Sequence, residues 1–290
     1  MSHASNPIGV HALVWAGGTT DEDVALAIKQ TKASGYDLLE LSLHDMDRMD
    51  TDAARSALEE AGLQVACSRG LAFDADVSSD DPEVVARGAA ILHASLDVTT
   101  SLGGKVLTGA LYSALGKYGH RLTDAGRANV VTVLRELAQE ASGRGVQLGL
   151  EICNRYETNV VNTARDALRL ADDIGEDNVF IHLDTYHMNI EESDLSTPVL
   201  DVGDRLGYVH IGENQRGYLG SGSIDFPSFF HALDRVGYAG PITFESFSSA
   251  VVSPTLSNDL AIWRNMWSDG FDLASSARSF IETHLVASAA

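Results

Sequence analysis

The feature that most constrains this chain is an alternation. Short apolar runs rich in β-formers are separated by longer segments of helical period, and the pattern continues from end to end. Strands read near Ile8 to Val14, Leu38 to Leu43, Leu63 to Ser68, Lys105 to Thr108, Val146 to Ile152, Val179 to Asp184, Gly207 to Ile211 and Pro241 to Glu245, which makes eight. Strands that alternate with helices pair in parallel, because the crossover needs a connection of helix length. Eight such units in 290 residues favour an α/β chain closed into a single (β/α)8 barrel over an open sheet, since closure leaves no strand edge. No Gly/Ser or Pro-rich linker interrupts the pattern and only 6 prolines occur, so residues 1 to 290 are expected to form one domain.

The helices carry their own signals. Thr123 to Ser142 places Val130, Val133, Leu134, Leu137 and Ala141 on one face, with Gly143 and Gly145 as stop signals. Asp81 followed by Pro82 opens another helix as N-cap and first-turn proline, and Pro227 with Gly237 brackets a third. Trp263, Met266 and Trp267 recur at i, i+3 and i+4, the spacing of a helical stripe facing the core or another subunit.

Composition removes several functions. The formal net charge of -21, from 41 acidic against 20 basic residues, repels polyanions and forgoes the phosphate-neutralising contacts of nucleic-acid binding. The first strand, Gly9-Val10-His11-Ala12-Leu13, has no G-x-G-x-x-G and no P-loop follows elsewhere, so dinucleotide and nucleoside-triphosphate readings lose their main support. Cys67 and Cys153, the only cysteines, lie in apolar runs and are expected to be buried and reduced. Met1 to Pro7 lacks the basic and apolar blocks of a signal peptide, and no apolar stretch approaches the roughly 20 residues that span a bilayer. The expected location is the cytoplasm, with no membrane partner.

In a (β/α)8 barrel the chemistry sits at the carboxyl ends of the strands, so the strands themselves should be apolar and their ends are the place to look. Strand five ends on Glu151, strand six on Asp184, strand seven delivers His210, and strand eight delivers Glu245. Any one of these could be an exposed loop charge or an arginine-paired residue. Four successive strands ending so would gather three carboxylates that repel one another unless a cation joins them. The donor set is hard and suits Mn²⁺, Mg²⁺ or Co²⁺ better than a thiolate-bound metal.

Three stretches are specific: Glu151-Ile152-Cys153-Asn154-Arg155-Tyr156-Glu157-Thr158-Asn159, Leu183-Asp184-Thr185-Tyr186-His187-Met188-Asn189-Ile190-Glu191-Glu192, and His210-Ile211-Gly212-Glu213-Asn214. They resemble the ketose 3-epimerases, the group of D-tagatose, D-allulose (psicose) and L-ribulose 3-epimerases, within the xylose-isomerase-like TIM barrels. The likeness continues through Cys67 to Pro82 and Asp259 to Arg264. It implies a Mn²⁺-type metal held by Glu151, Asp184, His210 and Glu245, with Co²⁺ or Mg²⁺ as substitutes. Glu151 and Glu245 double as the acid/base pair in that reading, acting through a metal-stabilised enediolate to interconvert C3 epimers of a free ketose. The substrates implied are of the D-allulose/D-fructose, D-tagatose/D-sorbose or L-ribulose/L-xylulose type. The logic is sound on its own terms, because two bases on opposite faces invert C3 whereas one base returns the proton with retention.

The resemblance also places Glu157, His187 and Arg216 on the O1 to O3 end of the ketose. Glu213 lies three residues beyond His210 and reads as a supporting or structural residue rather than a fifth ligand. His11, Trp15, Ser68, Gly109 and Ala110 fall at or after the ends of strands one, three and four and are expected around the distal part of the pocket. Relatives often carry an aromatic residue in place of His11 and a cysteine in place of Ser68. Arg216 to Gly222 is expected to close over substrate, and a homodimer or homotetramer is implied. An aldose-ketose isomerase of the same barrel group uses the same groups, and a metal-stabilised sugar-binding protein without turnover is the non-enzymatic reading. A related barrel endonuclease needs more histidines and a basic face, which the charge disfavours.

Overall fold

The computed structural model describes residues 6–45 and 48–288; Met1 to Ser5, most of the Met1 to Pro7 segment that lacks signal-peptide blocks, lie outside them. Eight strands, β1 (Ile8–His11), β2 (Leu38–Ser42), β3 (Gln64–Ser68), β4 (Val106–Thr108), β5 (Gln147–Glu151), β6 (Val179–Asp184), β7 (Leu206–Ile211) and β8 (Ile242–Phe244), pair in parallel in sequence order. The ring closes where Ile8 sits opposite Ile242 and Val10 opposite Phe244. Ten helices accompany them among the described residues: α1 (Asp21–Ala33), α2 (Thr51–Ala61), α3 (Pro82–Ser101), α4 (Asp124–Gly143), α5 (Ala164–Ile174), α6 (Thr185–Glu191), α7 (Thr197–Val202), α8 (Phe226–Arg235), α9 (Pro254–Asp259) and α10 (Gly270–Ser288). The architecture is the expected (β/α)8 barrel, and β6 runs between the residues read from sequence.

Local chemistry sets the boundaries. Asp81 caps α3, accepting from the Glu83 N–H, with Pro82 in the first turn. Gly145 after α4 and Gly237 after α8 take left-handed backbone conformations, φ 68° and φ 66°, which side chains disfavour. β1 is shorter than expected. The His11 Nδ1 accepts from the Leu13 N–H at 3.2 Å, turning the chain into a single 3-10 turn at Ala12–Val14.

Alternate strand residues face the helices or the barrel axis. The outward set, with Leu39, Leu41, Leu148, Leu150, Ile181, Leu183, Val209 and Ile211, joins the main apolar core beneath the helices. Inside, Leu38, Ala66, Phe180 and Tyr208 form a separate cluster. Phe180 fills the axis because β5 and β7 carry glycine beside it. A Cβ on Gly149 would lie 2.7 Å from the ring Cε2, and one on Gly207 would lie 2.9 Å from the Phe180 Cβ.

Two expectations fail here. Above Phe180 the barrel is not apolar up to the strand ends, because Glu40, Thr108, His182, Tyr208 and Thr243 are fully buried within it. The strand pattern conceals them, since an inward polar residue flanked by outward leucines keeps the run hydrophobic on average. Trp263, Met266 and Trp267 are not on a helix either: α9 stops at Asp259, Ala261 takes φ 54°, and Asp269 starts the next helix by accepting the Phe271 and Asp272 N–H groups. Terminator and cap override the spacing. Trp267 is buried and donates to the Ser246 hydroxyl at 2.7 Å, whereas Trp263 is 69% exposed.

Candidate active site

The four strand-end groups converge. Glu151, Asp184, His210 and Glu245 are all buried and each offers a ligand atom within 4.8 Å of the others. The His210 Nδ1 lies 3.2 Å from the Glu151 Oε1 and 3.6 Å from the Glu245 Oε1. Asp184 ends β6 and caps α6, spending Oδ1 on the Tyr186 N–H at 2.7 Å, while its buried Oδ2 has no hydrogen-bond partner. An unpartnered buried carboxylate oxygen costs free energy on the order of several kcal/mol. An oxygen-rich set aimed at one point, with one oxygen unsatisfied, fits a hard divalent cation.

Charge within the cluster has the same meaning. Burial pushes Glu151 up to about 7 and Asp184 up to about 8. Burial acts on Glu245 in the same sense, but the charges of His210 and Arg216 outweigh it and hold this carboxyl at about 2. Burial opposes protonation of His210, yet the carboxylates of Glu40, Glu245 and Glu151 keep its proton well above the ordinary histidine range. Protons thus neutralise the cluster where a cation would displace them.

Arg216 is the site's half-buried cation. Its Nη1 is 2.8 Å from the Glu245 Oε2 and 3.6 Å from the Asp184 Oδ2, and its guanidinium carbon lies 3.8 Å over the Tyr186 ring and 4.8 Å from that of Phe247. Its backbone takes φ 59°, an unfavourable left-handed conformation for an arginine, held by the surrounding contacts. The Asn154 N–H and side-chain amide both meet the His187 Nδ1, at 3.1 and 2.9 Å. A nitrogen accepting from the backbone carries no proton, so in neutral His187 the proton is on Nε2, 3.5 Å from the Asp184 Oδ2. The same Asn154 amide donates to Glu157 at 2.8 Å.

A cavity above the cluster is lined by His11, Ser68, Gly109, Ala110, Glu157 and His187, together with Arg216 and the strand-end groups Glu151, His210 and Glu245. His11 is not distal: its Nε2 is 3.6 Å from the Glu40 Oε1, 4.0 Å from the Glu245 Oε1 and 3.5 Å from the Ser68 Oγ. Trp15 does not line the cavity, because the turn after β1 swings it into the helical shell, where its indole N–H donates to Thr31 at 3.0 Å. Glu213 is fully buried and braces the following loop, accepting from the N–H groups of Asn214, Gly220 and Ile224 at 3.1, 2.9 and 3.4 Å. Cys67 and Cys153 are both free and buried, and burial raises both thiols, Cys67 to about 12; Cys153 reaches the cavity wall.

Sequence reasoning missed Glu40. It lies mid-strand in β2 with its Oε2 2.7 Å from the His210 Nε2 and 2.9 Å from the Tyr208 hydroxyl. A charged residue inside Leu38-Leu39-Glu40-Leu41 was the available signal.

The fold and site define a class. Residues 28–270 match the model of the xylose isomerase-like TIM barrels, and the chain belongs to that family. Within it the similarity runs to ketose 3-epimerases. The chain is 49% identical to a ketose 3-epimerase of Arthrobacter globiformis, covering 97% of both chains, and 48% identical to an L-ribulose 3-epimerase of Methylomonas sp., covering 94% of this chain and 96% of the other. Among solved structures, a D-allulose 3-epimerase from Methylomonas sp. in complex with D-allulose superposes with a TM-score of 0.94 at 47% identity, over 97% of this chain and 98% of the other. Among the described residues no helix is long and apolar enough to cross a membrane.

Proposed function

We propose that this chain is a ketose 3-epimerase that interconverts C3 epimers of a free ketose, with Glu151 and Glu245 as the proton-transferring pair. The observation that carries this reading is that these two carboxylates, on β5 and just after β8, both approach the His210 Nδ1, at 3.2 and 3.6 Å, and line one cavity with Arg216, His187 and Glu157. Glu151, Asp184, His210 and Glu245 hold the divalent cation, Mn²⁺ first with Co²⁺ or Mg²⁺ as substitutes. When bound, the cation supplies Lewis-acid polarisation of the ketose carbonyl.

The protein's own residues do the rest. One glutamate removes the C3 proton from one face, and the other delivers a proton to the opposite face, inverting the centre. The Arg216 guanidinium and the His187 Nε2–H donate to substrate oxygens at the O1 to O3 end, and Glu157 accepts from a hydroxyl there. Arg216 also keeps Glu245 ionised, ready to accept. His11, Ser68, Gly109 and Ala110 line the wall that the sugar meets and contribute to specificity. The relatives' activities on D-allulose and L-ribulose support a free hexulose or pentulose as substrate. The protein works as a single domain in the cytoplasm, as a homodimer or homotetramer.

The test is to incubate metal-stripped protein, with and without added Mn²⁺, with D-allulose, D-fructose, D-tagatose, D-sorbose, L-ribulose and L-xylulose, and to resolve the products chromatographically. C3 epimers should form only with metal, and Co²⁺ should also restore turnover. An aldose product would transfer the chain to the isomerases, and conversion by metal-free protein would sink the metal-dependent mechanism.

A further inference from the structure

We infer that Glu40 is a positioning residue whose carboxylate fixes the ring nitrogen that His210 turns toward the metal cluster, and thereby sets divalent-cation affinity. The inference rests on the metal centre proposed above. Its starting point is a cost: Glu40 is wholly buried in mid-strand, with its Oε1 lacking any hydrogen-bond partner, and a buried carboxylate must be compensated or it destabilises the fold.

The hydrogen-bond directions leave one arrangement. Thr243 Oγ1 donates to the Tyr208 hydroxyl at 2.7 Å, and Tyr208 donates onward to the Glu40 Oε2 at 2.9 Å. That oxygen therefore accepts, and His210 Nε2, 2.7 Å from the same atom, must donate to it. With its proton on Nε2, neutral His210 leaves the Nδ1 lone pair free, facing Glu151 and Glu245. The ring plane is held by edge contact with His182, whose centroid is 4.2 Å away at 85°. Glu40 supplies what packing cannot, the choice of tautomer and a more basic imidazole. A carboxylate behind a metal-binding histidine typically changes metal affinity by about 10- to 100-fold.

The experiment uses the full chain and Mn²⁺ as probe. Calorimetric titration of the metal-stripped protein gives the Kd, and an activity titration gives the half-saturating Mn²⁺. For Glu40→Gln, which keeps the shape and removes the charge, both should rise by about 10- to 100-fold, with the melting temperature of the metal-free protein close to wild type. Glu40→Asp, which keeps the charge and retracts it by one methylene, should weaken Mn²⁺ in the same direction and serves if the Gln variant does not fold. A folded variant binding Mn²⁺ within about twofold of wild type overturns the inference alone. Weaker binding that only mirrors a collapse in metal-free melting also overturns it, because Glu40 would then serve the fold. A wild-type protein that takes up no Mn²⁺ overturns the metal centre as well.

Discussion

At the scale of residues, the two glutamates differ in their surroundings, and that difference is measurable. Glu245 is paired with Arg216 and Glu151 is not, so one carboxyl is held ionised while the other is pushed up by burial. Glu151→Gln and Glu245→Gln should each lower epimerisation by at least about 100-fold while retaining partial metal binding. In deuterated water one variant should still exchange the C3 proton of one epimer without producing the other. Near-normal turnover in both variants with metal bound would move the proton transfer to another group, His187 first. Arg216→Ala removes a charged hydrogen bond worth roughly 1.5–3 kcal/mol, which corresponds to about 10- to 100-fold in kcat/KM; Mn²⁺ should stay bound, and its loss would mean that Arg216 is needed to hold Asp184 and Glu245 in place for the ion. These residues were legible in sequence because a charge at the end of an apolar strand breaks a pattern. Glu40 breaks the same pattern in mid-strand, but the rule that barrel chemistry lies at strand ends says nothing about what supports it from below.

At the scale of elements, the strands and most helices could be read because alternation, caps and glycines agreed at each boundary. The reading failed where a turn or a cap outweighed periodicity, after His11 and between α9 and α10. The pairing of Phe180 with two glycines is a tertiary property, invisible until β5, β6 and β7 are side by side. It gives a test of packing: Gly149→Ala places a methyl group against the Phe180 ring and the Thr108 hydroxyl. Overpacking of this kind costs about 1–3 kcal/mol, so thermal unfolding should shift down by several degrees. An unchanged melting temperature would mean that Phe180 can move aside and that the floor is not rigid.

At the scale of the whole molecule, a cation at the proposed centre would share one set of sites with protons. Glu151 near 7, Asp184 near 8 and His210 above its usual range all favour the protonated form in the metal-free protein, Glu151 being about half protonated at neutral pH. Their folded-state values are raised, so protons leave as pH rises, and a cation meets less competition. Mn²⁺ should therefore bind more tightly at about pH 8 than at about pH 6, and calorimetry in buffers of different ionisation enthalpy should detect proton release on binding. Affinity independent of pH with no protons released would contradict the cluster as described. The acidic net charge was legible from composition alone, but this local balance depends on burial and distance, which composition does not contain.

Phe180 has one more consequence. With its ring wedged between two glycines and packed on Leu38, Ala66 and Tyr208, the barrel is a vessel stoppered at the bottom, and traffic to the cluster runs through the mouth. On the function proposed above, a sugar seated there is a cork: while it stays, the cation beneath would have no exit. Inactivation by a chelator should therefore slow as ketose concentration rises, following substrate occupancy, and a stripping rate indifferent to ketose would reveal a second door.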